Sequence, residues 1–343
     1  MNVAIALPVL ADGDAVGNDA LGMANVLRAD GHTVTLFAEK SLVAEDVLPL
    51  SSLAVTANDF LIYHHSHGCE AGVAAALSFT GRVAVKYHNV TPAKFFPAGS
   101  EVRAAAESGL MQAATLARGN ACFWVDSSFN ADGLPRVCDT LPPFMQTESL
   151  IGCDIDADTA SNLESWVTTF LTVGRIAPNK NLLLAIDALT EYRQDDANAR
   201  LVIAGGHVFP EYSEAVTQRI RDRGLESNVI ITGRVTVPQL KTLYLAADVL
   251  LVPSEHEGFC VPLVEAMALN VPVIAVKNAA IPDTAGDAAM LVKSDAQAIA
   301  AAMRQCVQDR DARDALMQRG QSRYQTTFTR ETIAKRFREL MAH

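Results

Sequence analysis

No run in these 343 residues approaches the ~20 consecutive apolar positions that a membrane-spanning helix needs. A basic excess is missing as well: 28 Lys and Arg stand against 39 Asp and Glu, a net charge of −11. A protein that wraps nucleic acid needs a positive field to displace counterions from phosphates, so that class is excluded. Neither half makes up the deficit, with 8 basic against 15 acidic residues up to position 150 and 20 against 24 beyond it. Membrane contact is thereby limited to a local, peripheral patch. The six cysteines, at 69, 122, 138, 153, 260 and 306, form no CxxC pair and follow no regular spacing. They read as buried free thiols of a cytoplasmic protein. The opening "MNVAIALPVLADGD" lacks a basic leader and turns acidic, so it reads as a first strand and not as a signal peptide. No GxGxxG opens either half, and "GGHVFP" follows the wrong strand, which weighs against a nicotinamide oxidoreductase.

What is there is abundant apolar material in an alternating order. Half the residues are hydrophobic, enough for two cores, since single cores stop growing at about 250 to 300 residues. Short β-branched runs alternate with helical patterns, the mark of a parallel α/β architecture. The first half offers the strands "NVAIALPV", "HTVTLFA", "DFLIYHH", "RVAVKYH" and "ACFWVDS". The second offers "VTTFLTVG", "ARLVIAGG", "NVIITGRV", "DVLLVPS" and "VPVIAVK". Near-continuous apolar strands imply sheets covered on both faces. The expected fold is therefore α/β with two facing, Rossmann-like doubly wound domains. The expected division is 1–150, 151–326 and a C-terminal helix 327–343 returning to the first domain, with a hinge near 145–165. In open sheets of this kind ligands gather at the carboxyl ends of strands.

The stretch "SEHEGFCVPLVEAMALNVPVIAV" places Glu257 in a loop and Glu265 about one turn into the helix that Pro262 opens. Gly258, Phe259, Cys260 and Val261 are poor side-chain caps, so the first amides and the positive end of the helix dipole are left for an anion. A diphosphate suits that end, and carboxylates beside it must aim past it, at hydroxyl groups. By spacing alone, Glu257 is as well read as a solvated loop charge and Glu265 as the partner of a lysine. In "RIAPNK", Arg175 and Lys180 flank a turn between strand and helix, where two cations neutralise a departing diphosphate without a metal. Asn179 beside them reads as a turn residue. The first loop, "ADGDAVGNDALG", holds Asp12 and Asp14 in a DxD-like spacing. There Gly17 lets backbone approach a ligand, and Asp19 is placed to take a proton from an acceptor hydroxyl. "YHHSHG" has imidazoles at His64, His65 and His67, which read as packing or acceptor contacts more than as zinc ligands. "TPAKFF", with Lys94, Phe95 and Phe96, is either an apolar-basic lip or a buried turn.

The run "EHEGFCVPLVEAMALNVPVIA" resembles the glutamate-seven-residues-glutamate motif of retaining glycosyltransferases of family 4, which have the GT-B fold. "FLTVGRIAPNKN", "LVIAGG", "VIITGRV" and "DTAGDAAMLV" are similar to that family's segments in the expected order. "VAVKYHNVTPAKFF" resembles its histidine-bearing loop, and "TRETIAKRFREL" its last helix. The likeness covers most of the chain and is more specific in the second half. The first loop departs from the family's paired glycines.

The resemblance implies a nucleotide diphosphate sugar, with UDP or GDP, as donor and a glycan or lipid-linked saccharide as acceptor. No metal and no resident cofactor are expected. Arg175 and Lys180 become the phosphate clamp, Glu257 holds the sugar hydroxyls and Glu265 the ribose. His88 meets the donor sugar at the reacting face. Gly174, Gly17, Gly258, Phe259, Cys260 and Val261 border the donor, and Arg234 and Val235 the base. The expected setting is polysaccharide or lipopolysaccharide synthesis in the cytoplasm, at most peripheral at the membrane. Open alternatives are a binding protein without turnover and another GT-B enzyme, a phosphorylase or epimerase.

Overall fold

The computed structural model describes residues 1–342 apart from 12, 44–45, 55–58 and 164–167. Asp12, and with it the DxD-like spacing, lies outside the described residues, as do the end of the expected hinge and His343. The chain divides into two compact units, Met1–Met145 with Arg330–His343, and Gln146–Thr329.

In the first unit the strands are β1 (Asn2–Leu10), β2 (Thr33–Ser41), β3 (Val47–Pro49), β4 (Phe60–His65), β5 (Arg82–Tyr87), β6 (Cys122–Val125) and β7 (Asp139–Thr140). They form one parallel sheet in the order β3-β2-β1-β4-β5-β6-β7. Apolar side chains on both faces of β1 and β4 are fully buried, which is what their near-continuous hydrophobic sequence requires. Helix Ala15–Ala29 follows β1 and starts on Asp14, whose carboxylate accepts the amides of Val16 and Gly17. Helix Arg330–Ala342 packs on this unit through Phe337, edge-on to Trp124 and Phe144. The ion pair of Arg338 with Asp30 joins it at the surface.

The second unit holds β8 (Thr169–Val173), β9 (Arg200–Ala204), β10 (Val229–Gly233), β11 (Val249–Val252), β12 (Val273–Val276) and β13 (Met290–Val292). Their order is β10-β9-β8-β11-β12-β13, again parallel throughout. In each sheet the order reverses beside its first strand, between β1 and β4 and between β8 and β11. Chains leaving the two strands at such a point diverge to opposite faces and open a crevice at their carboxyl ends. Sequence patterning misses β3, β7 and β13, which are three, two and three residues long. Edge pieces so short carry no periodicity to read.

Candidate functional site

In the second unit the loops after β8 and β11 meet at the switch point. Gly174 leaves β8 at φ 136°, a conformation that only glycine adopts without strain. The chain then passes the exposed Arg175 and a short turn, Pro178–Lys180, before Asn181 in the left-handed region begins helix Leu182–Tyr192. That turn aims Lys180 across to the other loop, where its ammonium donates to Glu257 Oε1 at 2.7 Å. Ser254 Oγ donates to the same oxygen at 2.7 Å. Among the described residues Oε2 of Glu257 takes no hydrogen bond, so the outer half of the carboxylate is available. Burial alone would lower the Lys180 pKa, but Glu257 and then Cys260 outweigh it and hold the ammonium above its ordinary value; Arg175 pulls it back. The two cations therefore act on one another.

Helix Val261–Ala268 follows, and its N-cap, Cys260, supplies no side-chain bond. The amides of residues 259–261 donate to nothing among the described residues, leaving the helix end open to an anion. Cys260 sits at φ 76° and is buried, a left-handed position unusual for a side chain with a Cβ. Glu265, one turn in, is met by Tyr244 of helix Val237–Ala246, whose hydroxyl donates to Oε2 at 2.7 Å. Burial raises the Glu265 pKa, and the Tyr244 bond opposes that rise. Its partner is thus a tyrosine and not a lysine. Arg234 and Val235 lie just past β10, Arg234 exposed and Val235 half-buried.

In the first unit the switch point is filled differently. Asp19, His64, Lys86, His88 and Asp126 converge there with little or no exposure. Lys86 donates to Asp126 and, at 2.6 Å, to the Leu141 carbonyl. His88 Nδ1 lies 3.0 Å from Asp126 Oδ2, and His88 Nε2 lies 2.9 Å from His64 Nδ1. Asp19 Oδ1 accepts the Phe144 amide at 2.7 Å. Burial, countered by Lys86 and His88, pushes Asp19 up to about 6. Burial acts upward on Asp126 too, but His88 and Lys86 overcome it and hold that carboxylate low.

These contacts bear on three readings of the sequence. Asp19 is fully buried, and its Oδ1 accepts the Phe144 amide. Gly17 serves the helix start: its amide is capped by Asp14, and an added Cβ would lie 2.8 Å from the Ala11 carbonyl. Asn179 is more than a turn former, because its side chain donates to the His256 carbonyl at 3.0 Å and its own carbonyl accepts from Glu255 at 2.8 Å. His65 is bonded to the Gly109 carbonyl and Phe95 is turned inward, as packing residues. Among the described residues, Asp19, His64 and His88 alone bring three possible ligand atoms close enough to share an ion. Lys86, 3.9 Å from Asp19 Oδ2, already places a cation there.

Residues 156–323 match the sequence model of the glycosyl transferases group 1 family, nearly the whole second unit. That match identifies the second unit as a glycosyl transferases group 1 domain. Among sequence relatives of the chain is the lipopolysaccharide 1,2-N-acetylglucosaminetransferase of Salmonella typhimurium, 27% identical over 191 residues, which are 52% of this chain and 49% of the relative. The chain thus spans about half of that relative's length. Sucrose-phosphate synthase from Thermosynechococcus elongatus has the same fold, with a TM-score of 0.80 at 19% identity, covering 100% of this chain and 98% of that one. HepE of Anabaena, solved in complex with UDP and glucose, gives a TM-score of 0.77 at 18% identity, covering 100% and 99%. The chain therefore has the GT-B fold, with two parallel-sheet α/β units. Among its described residues no helix is long and apolar enough to cross a membrane.

Sequence reasoning missed Ser254 and Tyr244, the neutral partners of the two glutamates. It also missed Lys86 and Asp126. A signal for Lys86 existed: a lysine inside the apolar strand "VAVKYH" has to find a buried acid.

Proposed function

We propose that this chain transfers a sugar from a nucleotide diphosphate sugar to a hydroxyl of a glycan or lipid-linked saccharide, with retention at the anomeric carbon and without a divalent ion. The observation that carries the reading is the Lys180–Glu257 pair at the uncapped start of helix Val261–Ala268, with Arg175 beside it. On donor binding the diphosphate takes the open amides and both cations. Glu257 keeps its Ser254 bond and turns Oε2 to the sugar hydroxyls, while Glu265 takes the ribose hydroxyls. The bond from C1 to the diphosphate oxygen breaks, and its electron pair leaves with a diphosphate whose charge Arg175, Lys180 and the helix end absorb. The acceptor oxygen bonds to C1 from the same face, and its proton passes to the departing phosphate. What the similar proteins are named for supports this choice: lipopolysaccharide in the name of one relative, UDP and glucose bound in one structural neighbour.

Purified protein incubated with labelled UDP- and GDP-sugars and a panel of saccharide acceptors tests the proposal. Transfer should occur in the presence of EDTA, and Arg175→Ala should suppress it on the order of 100-fold with the fold intact. Donor binding without any product would leave a binding protein instead, and sugar phosphate released from glycan plus inorganic phosphate would make it a phosphorylase.

A further inference from the structure

The two glutamates of the second unit are each pinned at one oxygen by a side-chain hydroxyl. Ser254 donates to Glu257 Oε1 and Tyr244 to Glu265 Oε2, both at 2.7 Å. Glu257 has Lys180 as well. Among the described residues no lysine or arginine pairs with Glu265, so its orientation depends on a neutral partner.

That partner is firmly placed. Tyr244 stands in the last turn of helix Val237–Ala246, whose start is fixed by a reciprocal cap between Thr236 and Gln239. The ring is fully buried, and the hydroxyl also lies 3.4 Å from the Pro262 carbonyl, in the first turn of the helix that carries Glu265. Burial, and after it the Glu265 charge, push the phenol pKa well above its ordinary value. Tyr244 therefore keeps its proton and meets the carboxylate only as a donor. Burial favours the neutral form of Glu265, and the Tyr244 bond opposes that.

On the other side Glu265 is half-buried, and among the described residues its Oε1 takes no hydrogen bond. A carboxylate offers about four acceptor positions. Tyr244 fills one of those on Oε2, and the pair on Oε1 stays open. Two open positions on one oxygen suit two hydroxyls on neighbouring carbons, as in the cis-diol of a ribose. The last torsion of a glutamate side chain is broad and roughly two-fold, so without the Tyr244 bond neither oxygen would be held outward.

We infer that Tyr244 is a positioning residue that makes the second unit selective for ribonucleotides over their 2′-deoxy forms, by holding Oε2 of Glu265 so that Oε1 meets both hydroxyls of the ribose. This rests on the proposed function, which puts Glu265 at the ribose, and assigns the discrimination to a residue that touches no substrate.

Titration calorimetry of the full chain with UDP, GDP and their 2′-deoxy forms reads the selectivity without any acceptor. The native protein should bind its ribonucleotide on the order of 10- to 100-fold more tightly than the deoxy form, the worth of a hydrogen bond to a charged group. Tyr244→Phe keeps the ring and removes the oxygen, so that ratio should fall about fivefold or more. The fall should come from weaker binding of the ribonucleotide, with the deoxy form bound as before. A hydroxyl that served the fold alone would weaken both nucleotides alike, and an unchanged ratio overturns the inference. Equal binding of the two forms by the native protein overturns it too. If Tyr244→Phe does not fold, Glu265→Gln decides, because its amide can still accept from Tyr244 but turns an NH₂ group toward the diol. A ribonucleotide preference that survives Glu265→Gln overturns the inference, and its loss upholds it. A preference that depends on Tyr244, without transfer to any acceptor, would remove the transferase reading and leave this inference standing. Transfer from a nucleotide sugar with the ratio unchanged in Tyr244→Phe would do the reverse, and no binding of UDP or GDP would remove both.

Discussion

Each unit places a lysine–carboxylate pair where its sheet changes direction, and the two pairs are wired in opposite ways. Lys86 has two fixed acceptors and no exposure. Lys180 has one carboxylate oxygen, and its side chain is 18% exposed. The first pair is closed to ligands and holds the fold together. The second keeps a cation, a carboxylate oxygen and a helix end in reserve. A buried pair is judged by what its loss leaves unpaired, a half-exposed one by what it can exchange.

Breaking the closed pair should give the largest effect. Lys86→Ala leaves Asp126 buried without its ammonium partner, and should destabilise the protein by about 3–5 kcal/mol in urea unfolding. A loss under about 1 kcal/mol would mean that the two pairs do not differ as described. Lys180→Ala should leave unfolding nearly unchanged and cost transfer on the order of 10²–10³-fold. Steady-state kinetics beside a melting curve would separate the two, and equal losses in both would erase the distinction.

The acid limb sharpens the contrast further. Asp19 titrates at about 6 in the folded chain, against 3.8 for an unperturbed side chain. The native state therefore binds the extra proton more tightly, and this residue's contribution to stability falls as pH rises from about 4 to about 6. In Asp19→Asn that decline should flatten, as read by the urea midpoint against pH. Asp126, held low, acts in the opposite sense, its contribution being lost as pH falls below its unfolded value. The smallest effect belongs to Cys260→Gly, which relieves a left-handed backbone at φ 76°. It should raise stability by about 1 kcal/mol without lowering transfer, since no hydrogen bond depends on the thiol. Destabilisation on calorimetry would show that the thiol's packing outweighs the strain.

The same contrast explains what could be read from the chain beforehand. The α/β fold was legible because β1, β4, β8 and β11 are nearly unbroken apolar runs between helical patterns. Residues 254–265 were legible because one loop and one helix carry both glutamates within a single stretch. The first unit's cluster draws on residues 19, 64, 86, 88 and 126, brought side by side only by strand order. Spacing along the chain holds no record of that, so His88 was reached by resemblance, and Lys86 and Asp126 were passed over. Neutral partners such as Tyr244 and Ser254 are hidden for another reason: a hydroxyl has no patterning of its own and declares itself only by where it points.

Asn179 ties the two loops of the second unit with backbone and side chain at once. Like a rivet through two plates, it joins the loop that carries Arg175 and Lys180 to the loop that carries Glu257. On the proposed function, neither loop can then be retuned separately, and variation toward new donors has to enter elsewhere, at the rim past β10 or around Tyr244.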